Sequence, residues 1–229
     1  QQACGEPELD ASTVVDIDVV APKPKRAKAK PDKPKMIQPK RSSLPKGSDM
    51  QLYRGIRFGR LAEFFVLDAR QYRSDQPCGD GNKPQCMEAL HPDQTLLGAA
   101  QEKWLLEGLA ASRGKWNVLA QQVMMARVDR TPGEEANFSM DQWPGYEMNR
   151  RRLLKFFHER KLSNPVVLAG DIHSNWANNL IADFDDLDSR VVGTEFVGTS
   201  ISSGGNGTQK PAGLEQILAE NPFCKFHNA

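Results

Sequence analysis

Alternation constrains this chain most. From Tyr53 to the glycines near residue 205, short apolar runs that read as strands are separated by longer stretches with helical spacing. The run Phe64 to Leu67 reads as a strand ending at Asp68, "KWNVLAQQVMMA" as holding a buried strand that ends in a polar break at Gln121 and Gln122, and "PVVLAG" and "TEFVGTSISSGG" as two more. Between them, "LLGAAQEKWLLEGLAAS" sets Leu97, Trp104, Leu105 and Leu109 on one helical face. In "DQWPGYEMNRRRLLKFFHERK", Asp141 and Pro144 stand near the start. Tyr146, Leu153, Leu154 and Phe157 then repeat on one side, and basic residues crowd the end, as helix start and dipole signals require. Strands alternating with helices predict an α/β fold with helices packed on a sheet, and ligands at the loops beyond the strand ends.

The first 48 residues follow a different pattern. "STVVDIDVV" fits one short strand, but "APKPKRAKAKPDKPK" after it has no apolar side chain larger than alanine or proline to offset its own ordering entropy. It reads as a solvated, disordered linker, and not as a nucleic-acid tether, because no aromatics are interleaved for base stacking. With a net charge of +1 on 229 residues, the whole chain exerts no general pull on nucleic acid or membrane. No apolar run is long enough to span a bilayer, and no signal peptide is visible.

The loops after the strands hold the chemistry. Asp171 and His173 in "GDIHSNW" follow an apolar strand. If they stay extended, their side chains face one point, with Gly170 providing the turn. A carboxylate and an imidazole together suit zinc, iron or manganese, with Trp176 excluding water beside them. Spacing alone also allows an imidazole that is merely hydrogen-bonded to its neighbouring Asp. His91, His158 and His227 read as surface residues. Arg70 and Arg73 in "LDARQYR" offer planar forks that fit phosphate oxygens, or else salt bridges to Asp68 or Asp75. "GTSISSGG" lacks the spacing of a serine nucleophile elbow at Ser200 and reads as a turn or an anion-binding loop. Asn137 and Asn206 match the glycosylation pattern, which matters only in a secreted eukaryotic protein. Cys78 and Cys86 bracket "CGDGNKPQC". In an exported protein the pair would close a tight disulfide, and in the cytosol two thiols. No CxxC or His neighbour suggests zinc, which favours the disulfide.

Five segments in order, "YRGIRFGRLAEFFVLDARQYRSDQPC", "LGAAQEKWLLEGLAASRGKWNVLAQQVMMA", "QWPGYEMNRRRLLKFF", "NPVVLAGDIHSNWANNL" and "EFVGTSISSGGNG", resemble the alkaline phosphatase D (PhoD-like) family, a branch of the metallophosphoesterases. The likeness runs from about residue 41 to residue 229. It implies a metallophosphoesterase-like β-sandwich flanked by helices. It also implies hydrolysis of phosphate monoesters and often diesters at an iron and calcium centre, in an exported protein. Under that resemblance Asp171 and His173 are late-motif metal ligands, Gln122 falls at a ligand or site-lining position, and Arg70 and Arg73 orient phosphate. The exported habit of the family adds to the expectation of a Cys78–Cys86 disulfide.

The earlier family motifs, which look like Gly-Asp-Tyr-Ile-Tyr and Asp-Asp-His-Glu, do not occur here. A segment expected to begin Arg-Gly-Tyr would follow "ENPFCKFHNA". Residues 49–229 are thus expected to form the C-terminal part of such a domain, with an incomplete sandwich and only the late metal motif. No residue is assigned a catalytic role. The alternative is a truncated, non-catalytic relative that at most binds anions.

Overall fold

The computed structural model describes residues 50–203 and 213–228. The Lys/Pro tract, the strand expected in "STVVDIDVV", Cys4, Asn206 and the glycines at 204 and 205 lie outside the described residues.

The first hairpin joins β1 (Arg54–Phe58) to β2 (Ala62–Val66). A loop with a two-residue strand β3 (Asn82–Lys83) leads to α1 (Gly98–Ala111) and then β4 (Trp116–Ala120). β5 (Phe138–Ser139) pairs with β3 as a separate ribbon. A 3₁₀ turn, Trp143–Tyr146, runs into α2 (Glu147–Arg160), followed by β6 (Pro165–Ala169), β7 (Asn175–Ile181) and β8 (Val191–Val197). α3 (Leu214–Glu220) and β9 (Cys224–Asn228) complete the described chain.

Seven strands form one mixed sheet in the order β1-β2-β4-β6-β8-β7-β9. β2, β4, β6 and β8 run parallel, so their C-terminal ends share one edge. This is the α/β fold that alternation predicts. One face of the sheet carries Phe65, Leu119, Val167, Leu180 and Val197, all buried with Leu105 and Leu109 of α1 and Leu153, Leu154 and Phe157 of α2. Each such side chain contributes about 2 kcal/mol by leaving water. The described residues supply one large sheet of the implied sandwich.

β4 ends at Ala120, at the expected polar break, and "VMMA" beyond it is buried loop: Met125 and Ala126 donate their backbone N–H groups to the Glu195 carboxylate (2.5 and 3.0 Å). Other boundaries differ from expectation for clear reasons. Asp141 does not cap α2, which begins six residues later with Glu147 in its first turn and His158 and Arg160 in its last. α1 is capped from outside, by Thr95 Oγ1 accepting from the Gly98 N–H at 2.9 Å. β7 and β9 carry polar side chains that mask their strand character. Asn178 of β7 is buried because it donates to Glu195 and accepts from the Cys224 thiol.

Candidate functional site at the parallel strand ends

Three loops converge where the parallel strands end. After β2, Leu67 N–H donates to Ala120 O at 2.9 Å. After β4, Gln121 N–H donates to Leu168 O at 2.9 Å. After β6, Gly170 N–H donates to Gln122 O at 3.1 Å. The ladder thus continues into the loops and fixes them against one another.

The Asp68 loop is the most tightly held. Gln101 of α1 accepts from the Asp68 N–H (2.8 Å) and donates to the Asp68 carbonyl (2.9 Å). Gln122 does the same one step along, accepting from Ala69 N–H (2.8 Å) and donating to Leu67 O (2.9 Å). Two side-chain amides thereby stand in for a neighbouring strand. Asp68 accepts from the Arg70 and Gln71 N–H groups at 3.0 and 2.9 Å, which turns the chain and aims Arg70 outward. Gln122 thus ties the loop after β2 to the loop after β6, whose Gly170 N–H donates to its backbone carbonyl. Its side-chain oxygen keeps one lone pair beyond the Ala69 contact.

Arg70 and Arg73 do not pair with Asp68 or Asp75. Arg70 Nη1 donates to both oxygens of Asp141 (2.8 and 2.9 Å), and Arg73 Nη1 donates to Asp141 Oδ1 at 2.5 Å. Gln76 Nε2 donates to the same oxygen. Asp141 reaches them because the 3₁₀ turn closes hard on its neighbour: a Cβ on Gly145 would lie 2.2 Å from the Met140 carbonyl oxygen. Burial pushes the Asp141 carboxyl up, but hydrogen bonds from Arg73 and Arg70 outweigh it and hold it below the usual carboxylate range.

The other end of the Arg70 fork reaches the late motif. Arg70 Nη2 donates to Asp171 Oδ1 at 3.1 Å, across 101 residues of sequence. The loop bearing Asp171 and His173 is not extended. Both residues are left-handed, with φ of 75° and 56°, and Gly170 is not. Each non-glycine left-handed residue costs about 1–2 kcal/mol, and Asp and His are among the types that tolerate it. A bend at each position replaces the strand geometry expected from spacing, and both side chains are exposed. Trp176 is buried just behind and holds the loop by donating Nε1 to Ser174 Oγ at 2.8 Å.

Among the described residues, no group of three or more His, Cys, Asp or Glu side chains could hold a metal ion. Asp171, His173 and the free lone pair of Gln122 are of the right donor chemistry for part of a centre and too few for a whole one. Ser200 Oγ accepts from Ser203 N–H at 2.8 Å and is a turn residue. Cys78 and Cys86 form a disulfide, with Cα atoms 5.9 Å apart, packed on the small cluster of Ala89, Phe138 and Met140. Sequence reasoning missed Asp141 and Gln101. The only local signal for Asp141 was an acid before Trp-Pro-Gly, which also reads as a helix start.

A family model described as PhoD-like phosphatase matches residues 36–229. The chain belongs to the PhoD-like phosphatase family. It is 51% identical over 187 residues to alkaline phosphatase D of Bacillus subtilis (strain 168), a match covering 82% of this chain and 32% of that protein. A solved structure described as "Structure of PhoD" superposes with a TM-score of 0.78 at 51% identity, covering 82% of this chain and 36% of that one. This PhoD-like chain therefore spans about a third of the length of the relatives it matches. Among its described residues no helix is long and apolar enough to cross a membrane.

Proposed function

We propose that residues 49–229 are part of a metal-dependent phosphoesterase domain that hydrolyses phosphate monoesters, and diesters, in the periplasm or outside the cell. The observation that carries this reading is the Arg70–Asp171 contact. It joins the side chain suited to phosphate oxygens to the side chain suited to a metal, on the shared edge where α/β sheets bind ligands.

Asp171 and His173 would hold the metal, iron and calcium by family, with Gln122 beside them. The metal when bound would polarise the phosphoryl oxygens and lower the pKa of a water. The chain's own residues do the rest. Arg70 and Arg73 bind phosphoryl oxygens through the N–H groups that Asp141 leaves free, and their charge opposes the charge that develops during transfer. Gln101 and Gln122 keep the Asp68 loop in place, so the arginines need not reorganise.

The shortage of ligands among the described residues favours a second reading for the chain by itself: it binds phosphate without turning it over. The test joins this chain to the portion of the B. subtilis enzyme outside the matched third and assays p-nitrophenyl phosphate with iron and calcium. We expect metal-dependent turnover, abolished by Asp171→Ala, while the 229-residue chain alone is inactive or nearly so. Metal uptake without turnover in the joined protein would refute hydrolysis. Robust turnover by the chain alone, lost in Asp171→Ala, would refute the partial site.

A further inference from the structure

Among the described residues the buried apolar side chains form two clusters, and the Cys78–Cys86 bridge belongs to the smaller one. The larger holds the sheet to α1 and α2. The bridge packs instead on Ala89, Phe138 and Met140, beside the loop that carries Asp141. Its own loop buries little: residues 79–84 are exposed, and Met87 just beyond is 81% exposed. What that loop does is grip segment 138–147 on both sides of Asp141. On one side β3 pairs with β5, and Gly81 O accepts from the Met140 N–H at 2.9 Å. On the other, Gln85 Nε2 donates to Pro144 O at 3.1 Å, and Ala89 O accepts from the Glu147 N–H at 3.2 Å. Gln76, at the foot of the loop, donates directly to Asp141, which in turn takes Arg70 and Arg73. A ribbon of two residues per strand is too short to persist by itself. The bridge holds the ends of the loop with Cα atoms 5.9 Å apart, and so keeps β3 where β5 meets it.

We infer that the Cys78–Cys86 bridge is a positioning element: closing it sets Asp141, and Asp141 sets Arg70 and Arg73 for an oxyanion. That role rests on the phosphoesterase reading of the two arginines. Both cysteines are half-buried, within reach of small thiols. Closure joins the two Sγ atoms. Their two electrons and two protons pass to the disulfide of a small-molecule thiol, which is cleaved into two thiols, and a dithiol reductant runs the exchange in reverse. An oxidising compartment thus sets the anion site, and a reducing cytosol leaves it slack.

The test titrates inorganic phosphate into the 229-residue chain by calorimetry, with the bridge closed and after reduction by dithiothreitol. Reduction should weaken binding about tenfold, the cost of re-ordering freed side chains, and reoxidation should restore it. Cys86→Ser should match the reduced chain. In Asp141→Ala, reduction should change nothing, because the coupling has lost its carrier. Linkage requires the converse: saturating phosphate should favour the closed bridge tenfold in a thiol–disulfide buffer, a shift of about 30 mV. A bridge that only stabilises the fold produces neither effect. Hydrogen exchange supplies a readout that needs no phosphate. On reduction the Met140 and Glu147 amides should exchange about tenfold faster or more, while the amides of β4 and β6 keep their protection. Met140 and Glu147 amides that stay protected, or β4 and β6 amides that lose protection with them, would overturn the inference. So would a phosphate affinity that reduction leaves unchanged, or changes equally in Asp141→Ala. A closed-bridge chain that binds no phosphate overturns the phosphate reading and this role with it, whereas binding without a response to reduction overturns this role alone.

Discussion

Arg70 and Asp141 lie 71 residues apart in the sequence and meet through one guanidinium nitrogen shared by two carboxylate oxygens, at 2.8 and 2.9 Å. The same carboxylate takes Arg73 and Gln76, so one acid orients three donors. A guanidinium has five N–H donors, and Arg73 commits only one of them to Asp141. Asp141 therefore gathers both guanidinium groups into one cluster, from which Arg70 reaches Asp171.

Asp141→Asn should weaken binding of inorganic phosphate to the chain, measured by calorimetry, by about tenfold, since freed arginines must be re-ordered on binding. Arg70→Lys should show a similar loss, because lysine keeps the charge without the fork. Unchanged or tighter phosphate binding in Asp141→Asn would mean that the carboxylate competes with the anion instead of serving it.

Local pattern reveals some of this fold and not the rest, for physical reasons. β6 is a short run of apolar residues on both of its faces, so "PVVLA" is legible, and so are the apolar stripes of α1 and α2. β7 escapes notice because Asn178 is buried by a carboxylate and a thiol that come from β8 and β9. The late motif is visible as composition, an Asp and a His after a strand. Its left-handed bends are not, because an Asp and a His two residues apart do not by themselves encode a positive φ. Asp141 and Gln101 act through contacts 71 and 33 residues away, which no local spacing encodes.

The pair Glu147–Arg150 is the most deeply buried ion pair among the described residues, at 2.6 Å with both side chains 1% exposed. Arg151 also donates to Glu147, at 2.7 Å, and the Arg150 guanidinium stacks 4.5 Å from the Phe184 ring centre. Burial, with the Arg127 and Arg151 charges adding to it, lowers the Arg150 pKa, and Glu147 opposes that. Removing the acid strands a buried cation, so Glu147→Ala should cost on the order of 3–5 kcal/mol in urea unfolding. A loss below about 1 kcal/mol, the scale of an exposed pair, would show that the guanidinium relaxes to solvent.

The disulfide ties a loop of eight residues' separation that lies beside Gln76 and rests on Met140, the neighbour of Asp141. Closing so short a loop in the unfolded chain contributes about 2–3 kcal/mol by the chain-entropy account. Cys86→Ser should lower stability by that amount, and reductant should shift the wild-type midpoint to the same place. A midpoint indifferent to reductant would show that the bridge is dispensable.

Cys224 provides a pH signature for the buried network behind the site. Its thiol donates to Asn178 Oδ1 at 2.9 Å, and Asn178 in turn donates to Glu195. Burial, with the Glu195 carboxylate adding to it, pushes the thiol from its ordinary 9.0 up to about 12. The folded state therefore keeps its proton where the unfolded state has lost it. Stability should be unaffected below the unfolded thiol pKa and should fall steadily as pH rises from about 9 toward 12. Cys224→Ala, measured by urea unfolding at pH 8 and pH 10, should remove that slope. The same shift keeps the native thiol un-ionised at pH 8, so it should react with a disulfide reagent only as fast as the chain opens. Prompt labelling of the native chain at pH 8 would show that the thiol is not held in this network.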